Sequence, residues 1–344
     1  MMKLIKTTDA VGHILCHDIT QIIPDKVKDA VFRKGHIVRK EDIPVLLSVG
    51  KEHLYVWERT EGMLHEDEAA EILLRACLND NMSHSLPKEG KIELFAETDG
   101  VFLIDREKLM EINSLGEMMI ASRHGDTPVK KGDKLAGMRV IPLVIEHEKM
   151  KPVEETASPI FRIAEYKRKK FGLIVTGSEV KKGLIDDGFT PVIEAKLAEF
   201  GAEVTMRELS GDDTETIRSA IIRMADAGAE GVICTGGMSV DPDDRTPGAI
   251  KSTGARIVTY GAPVLPGAML MLAYLDRDGG EVPVMGIPGC AMFSKRTVLD
   301  LILPRIIADI PVGRKDIAVM GEGGLCLGCS VCSFPDCGFG KAHG

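Results

Sequence analysis

Residues 231–237 read GVICTGG, a run without a charge that closes on two glycines. A continuous apolar run of this length is the pattern of a strand in a parallel sheet covered on both faces. The same texture surrounds it. KFGLIVTG (170–177) reads as a second buried strand ending in Gly177, and EVTMREL (203–209) as a third. A helix is expected across Pro191 to Phe200, and TETIRSAIIRMADAG (214–228) reads as the next. In that helix Thr214 is a plausible N-cap, Ile217, Ile221 and Met224 form the apolar stripe, and Gly228 ends it. RIVTYG (256–261) and VPVMGIPG (282–289) add two strands, and 293–307 closes as a long helix. Such alternation predicts a three-layer α/β/α domain on a mostly parallel sheet, with ligands at the carboxyl ends of its strands.

Upstream the texture differs. Short apolar runs such as HLYVW (53–57), GVFLID (100–105) and MRVIPLVI (138–145) alternate with helical pieces at 41–50 and 65–78. The second piece places Ala69, Leu73, Ala76 and Cys77 on one face. The expected organisation is a β-rich α+β accessory region over 1–150, of one or two subdomains, then a charged linker or connecting helix over 151–170 carrying Pro152 and Pro159. The α/β domain spans 171–311 and a cysteine-rich tail 312–344. The KRKK run at 167–170 reads as a solvated linker flank.

Hydrophobic content of 44% and charged content of 28% describe a globular chain, and a net charge of −9 lacks the basic footprint of a nucleic-acid binder. No run of about 18 apolar residues occurs, so no membrane span is expected and a cytoplasmic location is. In a reducing cytosol eight cysteines point to metal ligation or buried thiols instead of disulfides. Cys16, Cys77 and Cys234 sit in apolar contexts as core thiols. His13 and His17 flank Cys16 either as a metal pair or, the favoured reading, as a turn and strand; Trp57 reads as a packing residue.

Four loops at predicted strand ends share glycine beside hydroxyls and carboxylates: TGSE (176–179), SGDD (210–213), TGGMSVDPDDRTP (235–247) and GIPGC (286–290). Glycines there let backbone N–H groups approach a ligand. Thr176, Ser178, Thr235 and Ser239 can bond phosphate oxygens or a polar heterocycle, and Glu179, Asp212, Asp213, Asp241 and Asp244 can hold Mg²⁺. Each loop alone is an ordinary turn with a capping Ser or Asp. Four on one sheet edge imply a ligand site, and its acidity implies a divalent cation or a ligand rich in N–H donors.

Taken in order, TGSEV, SGDD, CTGGMSVDPDDRTP, VLPGAM and GIPGC resemble the molybdopterin-binding domain of molybdenum-cofactor biosynthesis proteins over roughly 168–311. That superfamily includes molybdopterin adenylyltransferases and molybdopterin molybdotransferases. More faintly, residues 32–58 resemble a segment of the accessory domains of the molybdotransferase branch. The resemblance implies Asp244, Asp212 and Glu179 as catalytic acids. It assigns pterin or phosphate contacts to Thr176, Gly177, Ser178, Asp213, Thr235, Gly236, Gly237, Ser239, Asp241, Pro266, Gly267, Pro288 and Gly289. It implies molybdopterin or its adenylate as ligand with Mg²⁺, a molybdate-inserting transferase or a non-catalytic carrier or sensor, a homo-oligomer, and a recipient molybdoenzyme as a possible partner.

The chain also departs from that pattern. Molybdotransferases read K-P-G-K-P where this chain has Leu265-Pro266-Gly267-Ala268-Met269, losing two cations, and Cys290-Ala291 replaces N-P. Lys295 or Arg296 could substitute one turn later. Cys290 is either a small residue at a helix start or a thiolate facing a ligand. Finally, Cys326, Cys329, Cys332 and Cys337 follow C-x2-C-x2-C-x4-C. That spacing suits an iron–sulfur cluster, a zinc ion, or a mobile tail without metal.

Overall fold

The structure, a computed structural model, describes residues 2–23, 27–57, 61–156, 159–177, 186–239, 241–242 and 244–341, with the side chains of Met2, 22–29 and Trp57 outside the description. The expectations for Ser178, Glu179 and the Trp57 side chain therefore lie outside the described residues. The chain forms two compact units, and neither is continuous. The first comprises Met1–Phe95, Asp105–Arg123 and Lys134–Phe161; the second comprises Ala96–Ile104, His124–Asp133 and Arg162–Gly344.

The second unit is organised by a six-stranded sheet in the order Glu203–Ser210, Lys170–Thr176, Gly231–Thr235, Gly280–Ile287, Met271–Arg277, Arg256–Tyr260. The first four strands are mutually parallel, and Met271–Arg277 runs antiparallel to both its neighbours. The central strands feed both layers, as period-two alternation requires. Leu173, Val175, Ile233, Met285 and Ile287 pack with Ile193 and Leu197 of helix Phe189–Ala198 and Ile302, Leu303 and Ile306 of helix Val298–Ile307. Ile174, Val232, Cys234 and Val284 face the other way, against Ile217, Ile221 and Met224 of helix Thr214–Asp226 and Ile250 of helix Thr246–Ser252. This is the three-layer architecture that the charge-free strands demand.

Three local expectations change. Met271–Arg277 was not foreseen as a strand. It pairs with Gly280–Ile287 through a two-residue turn at Asp278-Gly279, since Arg277 faces Gly280. The N-cap of helix Thr214–Asp226 is Asp213, whose carboxylate accepts from the Thr216 backbone N–H at 2.7 Å, and not Thr214. The long helix expected over 293–307 is helical only from Val298. Thr297 caps it from an extended backbone and Asp300 returns a bond to the Thr297 N–H, while Gly289–Met292 makes one 3-10 turn.

The KRKK run is solvent-exposed at Lys167, Arg168 and Lys170, as expected of a flank, but not at Lys169. Lys169 is buried, and both it and Lys167 pair with Asp309, Lys167 at 2.7 Å. Burial disfavours the Asp309 carboxylate, but the two ammonium hydrogen bonds outweigh it and hold the carboxyl below its ordinary value. Segments 96–104 and 124–133 belong with this unit for a packing reason. Val101 of strand Gly100–Ile104 lies in one cluster with Ala164 and Ala308, and Asp126 pairs with Arg305 at 3.8 Å. The stretch expected as a linker or connecting helix holds the end of helix His147–Glu154, then strand Phe161–Glu165.

The first unit uses shorter pieces. A four-stranded sheet of Met82–His84, Lys91–Ala96, Lys134–Val140 and Met118–Ser122 packs against helix Glu66–Cys77, whose buried face includes the expected Ala69, Leu73, Ala76 and Cys77. A separate small core gathers Ala10, Leu15, Ile19, Val38, Leu46 and Leu54. Cys16, Cys77 and Cys234 are buried thiols, and burial pushes Cys77 and Cys234 up to about 12 and Cys16 up to about 11.

Candidate functional site

The sheet order places a reversal between two strands. From Lys170–Thr176 the chain crosses to Glu203–Ser210 on one side, then returns past it to Gly231–Thr235 on the other. Connections leaving in opposite directions open a crevice at the carboxyl ends of the two central strands, which is where open α/β sheets bind ligands. Thr176 and Thr235 end those strands. The Thr176 hydroxyl donates to the Thr235 carbonyl at 3.0 Å and lies 3.3 Å from the Thr246 hydroxyl, which donates to the Gly236 carbonyl at 2.9 Å. Three buried threonines thus stitch the TGSE and TGGMS loops to the start of helix Thr246–Ser252. The Thr235 hydroxyl itself is fully buried and has no hydrogen-bond partner among the described residues. A buried hydroxyl left unpaired costs about 1–3 kcal/mol, so its retention calls for an explanation.

The glycine after it is dictated by space. Gly236 has φ +83°, and a Cβ there would stand 2.4 Å from the Thr176 carbonyl oxygen. No side chain can separate this backbone from an approaching ligand. Asp244 turns back into the same loop, its carboxylate accepting from the Ser239 N–H at 2.7 Å. Ser239 and Asp241 are exposed, while Asp212 is half-buried in the bend after Ser210. Asp213 is committed to its helix cap and also accepts from the Thr216 hydroxyl at 2.7 Å. Pro288 is buried beyond strand Gly280–Ile287 and Gly289 is exposed. The sheet edge therefore brings together the ends of all four candidate loops, with Ser178 and Glu179 outside the described residues.

Other assignments land elsewhere. Gly267, at φ +127°, is buried against Val298, which its Cβ would meet at 2.5 Å, so packing explains it; Pro266 lines a cavity with the cysteine tail. Cys290 is half-buried, and desolvation raises its thiol pKa despite a backbone hydrogen bond, which favours the small-residue reading over an activated thiolate. Arg296 is not a free substitute for the missing lysines. Its guanidinium reaches Glu199 at 2.7 Å and Asp300 at 2.8 Å. Asp300 also holds Lys196 at 2.7 and 2.8 Å with both partners buried. Two residues absent from the sequence reading border the site. Tyr260 ends its strand and donates to the Met238 carbonyl at 3.3 Å, and Lys251 lies 5.4 Å over its ring. A tyrosine at the end of RIVTYG was the available signal.

In the first unit His65, Glu66 and Asp67 bring three ligand atoms within 4.8 Å of one another. An ammonium already serves them: Lys34 lies 2.9 Å from His65 Nδ1 and also bonds Asp67. His65 Nε2 lies 2.8 Å from the Cys16 carbonyl, which makes Nε2 the donor and Nδ1 the acceptor of the Asp67 N–H. Burial lowers the His65 pKa, in keeping with this neutral tautomer. The site is a satisfied helix start. The alternative of a His13–His17 metal pair gains no support, since His13 is exposed and its backbone bonds Val38 and Ala10.

Among the described residues no helix is long and apolar enough to cross a membrane. Residues 172–308 match the model of the probable molybdopterin binding domain, and residues 4–58 match a domain of unknown function. The chain is 24% identical over 281 residues to a molybdopterin molybdenumtransferase of Staphylococcus epidermidis, an alignment covering 79% of this chain and 64% of that relative. A CinA-like protein of Gemmatimonas aurantiaca is 32% identical over 131 residues, 36% of this chain and 30% of that one. Among solved structures, the tungsten cofactor synthesizing protein MoaB from Pyrococcus furiosus aligns with a TM-score of 0.36 and 22% identity over 43% of this chain and 98% of that one. The resemblance read from the loop motifs and the family match fall on one segment of the chain: residues 172–308 belong to the molybdopterin-binding domain superfamily.

Proposed function

We propose that this chain binds molybdopterin or its adenylate at the carboxyl edge of the second unit's sheet and acts in molybdenum-cofactor assembly as a molybdotransferase-like transferase. One observation carries the reading: the buried, unpartnered Thr235 hydroxyl at the switch point, beside a glycine whose Cβ would strike Thr176. A polar heterocycle or phosphate oxygen would satisfy that hydroxyl, and the bare backbone of Gly236 and Gly237 would let it approach. The start of helix Thr214–Asp226 faces the same edge, and its partial positive charge favours phosphate. The carboxylates of Asp212, Asp241 and Asp244 suit Mg²⁺, which would offset phosphate charge when bound. Asp244 also holds the Ser239 amide in place, so this acid both shapes the loop and supplies charge. The four tail cysteines hold a metal in this reading, as an iron–sulfur cluster or as zinc.

A second reading, a carrier that binds the pterin without turning it over, draws on the loss of cations. Leu265 and Ala268 stand where molybdotransferases have lysines, and Arg296 is engaged by Glu199 and Asp300. Isothermal titration of the purified chain with molybdopterin and with its adenylate, with and without Mg²⁺, tests the shared claim. Micromolar or tighter binding is expected, and absence of binding overturns both readings. Adding molybdate to the bound adenylate then separates them: product forms with a transferase and not with a carrier.

A further inference from the structure

The tail carries chemistry that the pterin reading does not use. It is not a frayed end. Leu325 bridges Leu265, with the Leu265 N–H donating to the Gly324 carbonyl and the Cys326 N–H to the Leu265 carbonyl, both at 2.8 Å. Farther on, the Gly340 N–H donates to the Gly323 carbonyl at 3.0 Å, so the two ends of the segment meet. Phe339 is buried in the main core, and Phe334, Cys326 and Cys337 pack against it. The result is a closed loop around a cavity of about 540 Å³ whose walls include all four thiols. Cys326 and Cys337 are half-buried, while Cys329 and Cys332 are exposed. None of the four is in a disulfide.

We propose that this cavity is the seat of a [4Fe–4S] cluster ligated by Cys326, Cys329, Cys332 and Cys337. Spacing and size separate it from a zinc site. Four sulfurs bound to one zinc lie about 2.3 Å from the ion and therefore within about 4 Å of one another. Among the described residues no three of the tail thiols lie within 4.8 Å of one another, the grouping that one ion would impose. A cubane presents its four irons at separated corners, and a cavity of 540 Å³ has room for it where a single ion would leave most of the space empty. In bacterial ferredoxin runs the fourth cysteine, followed by proline, serves a second cluster. Here Pro335 precedes Cys337, and the chain turns back so that Cys337 lines the same cavity as the first three.

The electron and charge balance also fits. Two ferrous and two ferric ions with four sulfides and four thiolates give a complex of net charge minus two, with four protons released from the thiols and no other oxidant or reductant consumed. Lys295 lines the cavity beside that charge, and the Arg296 guanidinium, already engaged by Glu199 and Asp300, lies 4.9 Å over the Phe334 ring. The proposal narrows the metal-tail reading and does not depend on pterin binding.

The test is anaerobic purification of the full chain, reconstitution with ferrous and ferric iron and sulfide, and measurement of iron, acid-labile sulfide, zinc and the visible spectrum. Near four irons and four sulfides per chain are expected, with a broad absorption in the blue that bleaches on reduction and yields a paramagnetic resonance signal. Cys332→Ser and Cys337→Ser should each lose most of the iron, and Cys290→Ser, outside the cavity, should retain it. Circular dichroism identifies any variant that has unfolded, and in that case iron retention by C329S, at an exposed position, decides. Stoichiometric zinc with no cluster after reconstitution overturns the proposal while leaving a metal tail standing. Failure to hold either metal overturns both, and pterin titration remains an independent measurement.

Discussion

The two units each assemble a polar cluster, and the clusters differ in how far they are satisfied. At the start of helix Glu66–Cys77, His65 and Asp67 are met by Lys34, the Cys16 carbonyl and the Gly90 amide. At the carboxyl edge of the six-stranded sheet, Thr235 keeps a buried hydroxyl without a partner, and glycines hold space open beside it. A polar group buried and paired adds order; one buried and unpaired is a cost that a ligand can remove. The difference separates a cluster completed within the fold from one that the proposed ligand would complete.

The comparison is broken most forcefully at a third place, the Lys196–Asp300 pair behind the site. Removing one partner leaves a buried charge alone, so Asp300→Ala should destabilise the second unit by about 3–5 kcal/mol, read by denaturant unfolding. A loss below about 1 kcal/mol would show that the pair is not buried in solution.

Glu66 tests the satisfied cluster. Burial, aided by the Asp67 charge, raises its pKa to about 7. The folded chain then holds this proton to higher pH than the unfolded one, so the contribution is full below about pH 4.5 and is lost as pH rises through about 7. The loss is on the order of 3 kcal/mol. Glu66→Gln should flatten the stability profile across that window, and an unchanged profile would contradict the assignment.

Asp244→Ala tests the unsatisfied site. It should weaken pterin binding about 10-fold or more, the worth of one charge-assisted contact of about 1.5–3 kcal/mol, and remove Mg²⁺-dependent turnover, with the circular dichroism unchanged. The smallest effect is expected at Asp213. As a helix cap it should cost about 1 kcal/mol on change to Ala, and Asp213→Asn should restore most of it. If Asp213→Asn keeps the stability and loses pterin affinity, Asp213 acts on the ligand as well as on the helix.

Much of this was legible in advance because it is local. Charge-free runs at 171–176 and 231–235 marked buried parallel strands, and Ile217, Ile221 and Met224 marked the covered face of a helix. The Met271–Arg277 strand was equally local, announced by Asp278-Gly279, and passed unnoticed because its apolar residues follow directly on the loop at 265–269. Asp300 was not legible, since its partner Lys196 is 104 residues away and an aspartate near a helix start reads as a cap alone.

By itself the sequence determined the alternation of strands and helices, the four glycine-and-acid loops, and the regular spacing of the four tail cysteines. These follow from side-chain periodicity and backbone preference, which act over a few residues. Only the tertiary structure decided which strands are neighbours, and so that Thr176 and Thr235 meet at the switch point with one hydroxyl left unpaired. It also decided that segments 96–104 and 124–133 join the second unit, and that the tail closes so Cys337 shares a cavity with Cys326. Those outcomes depend on packing between residues far apart in the chain, where the burial of apolar surface, and not local preference, chooses the partner.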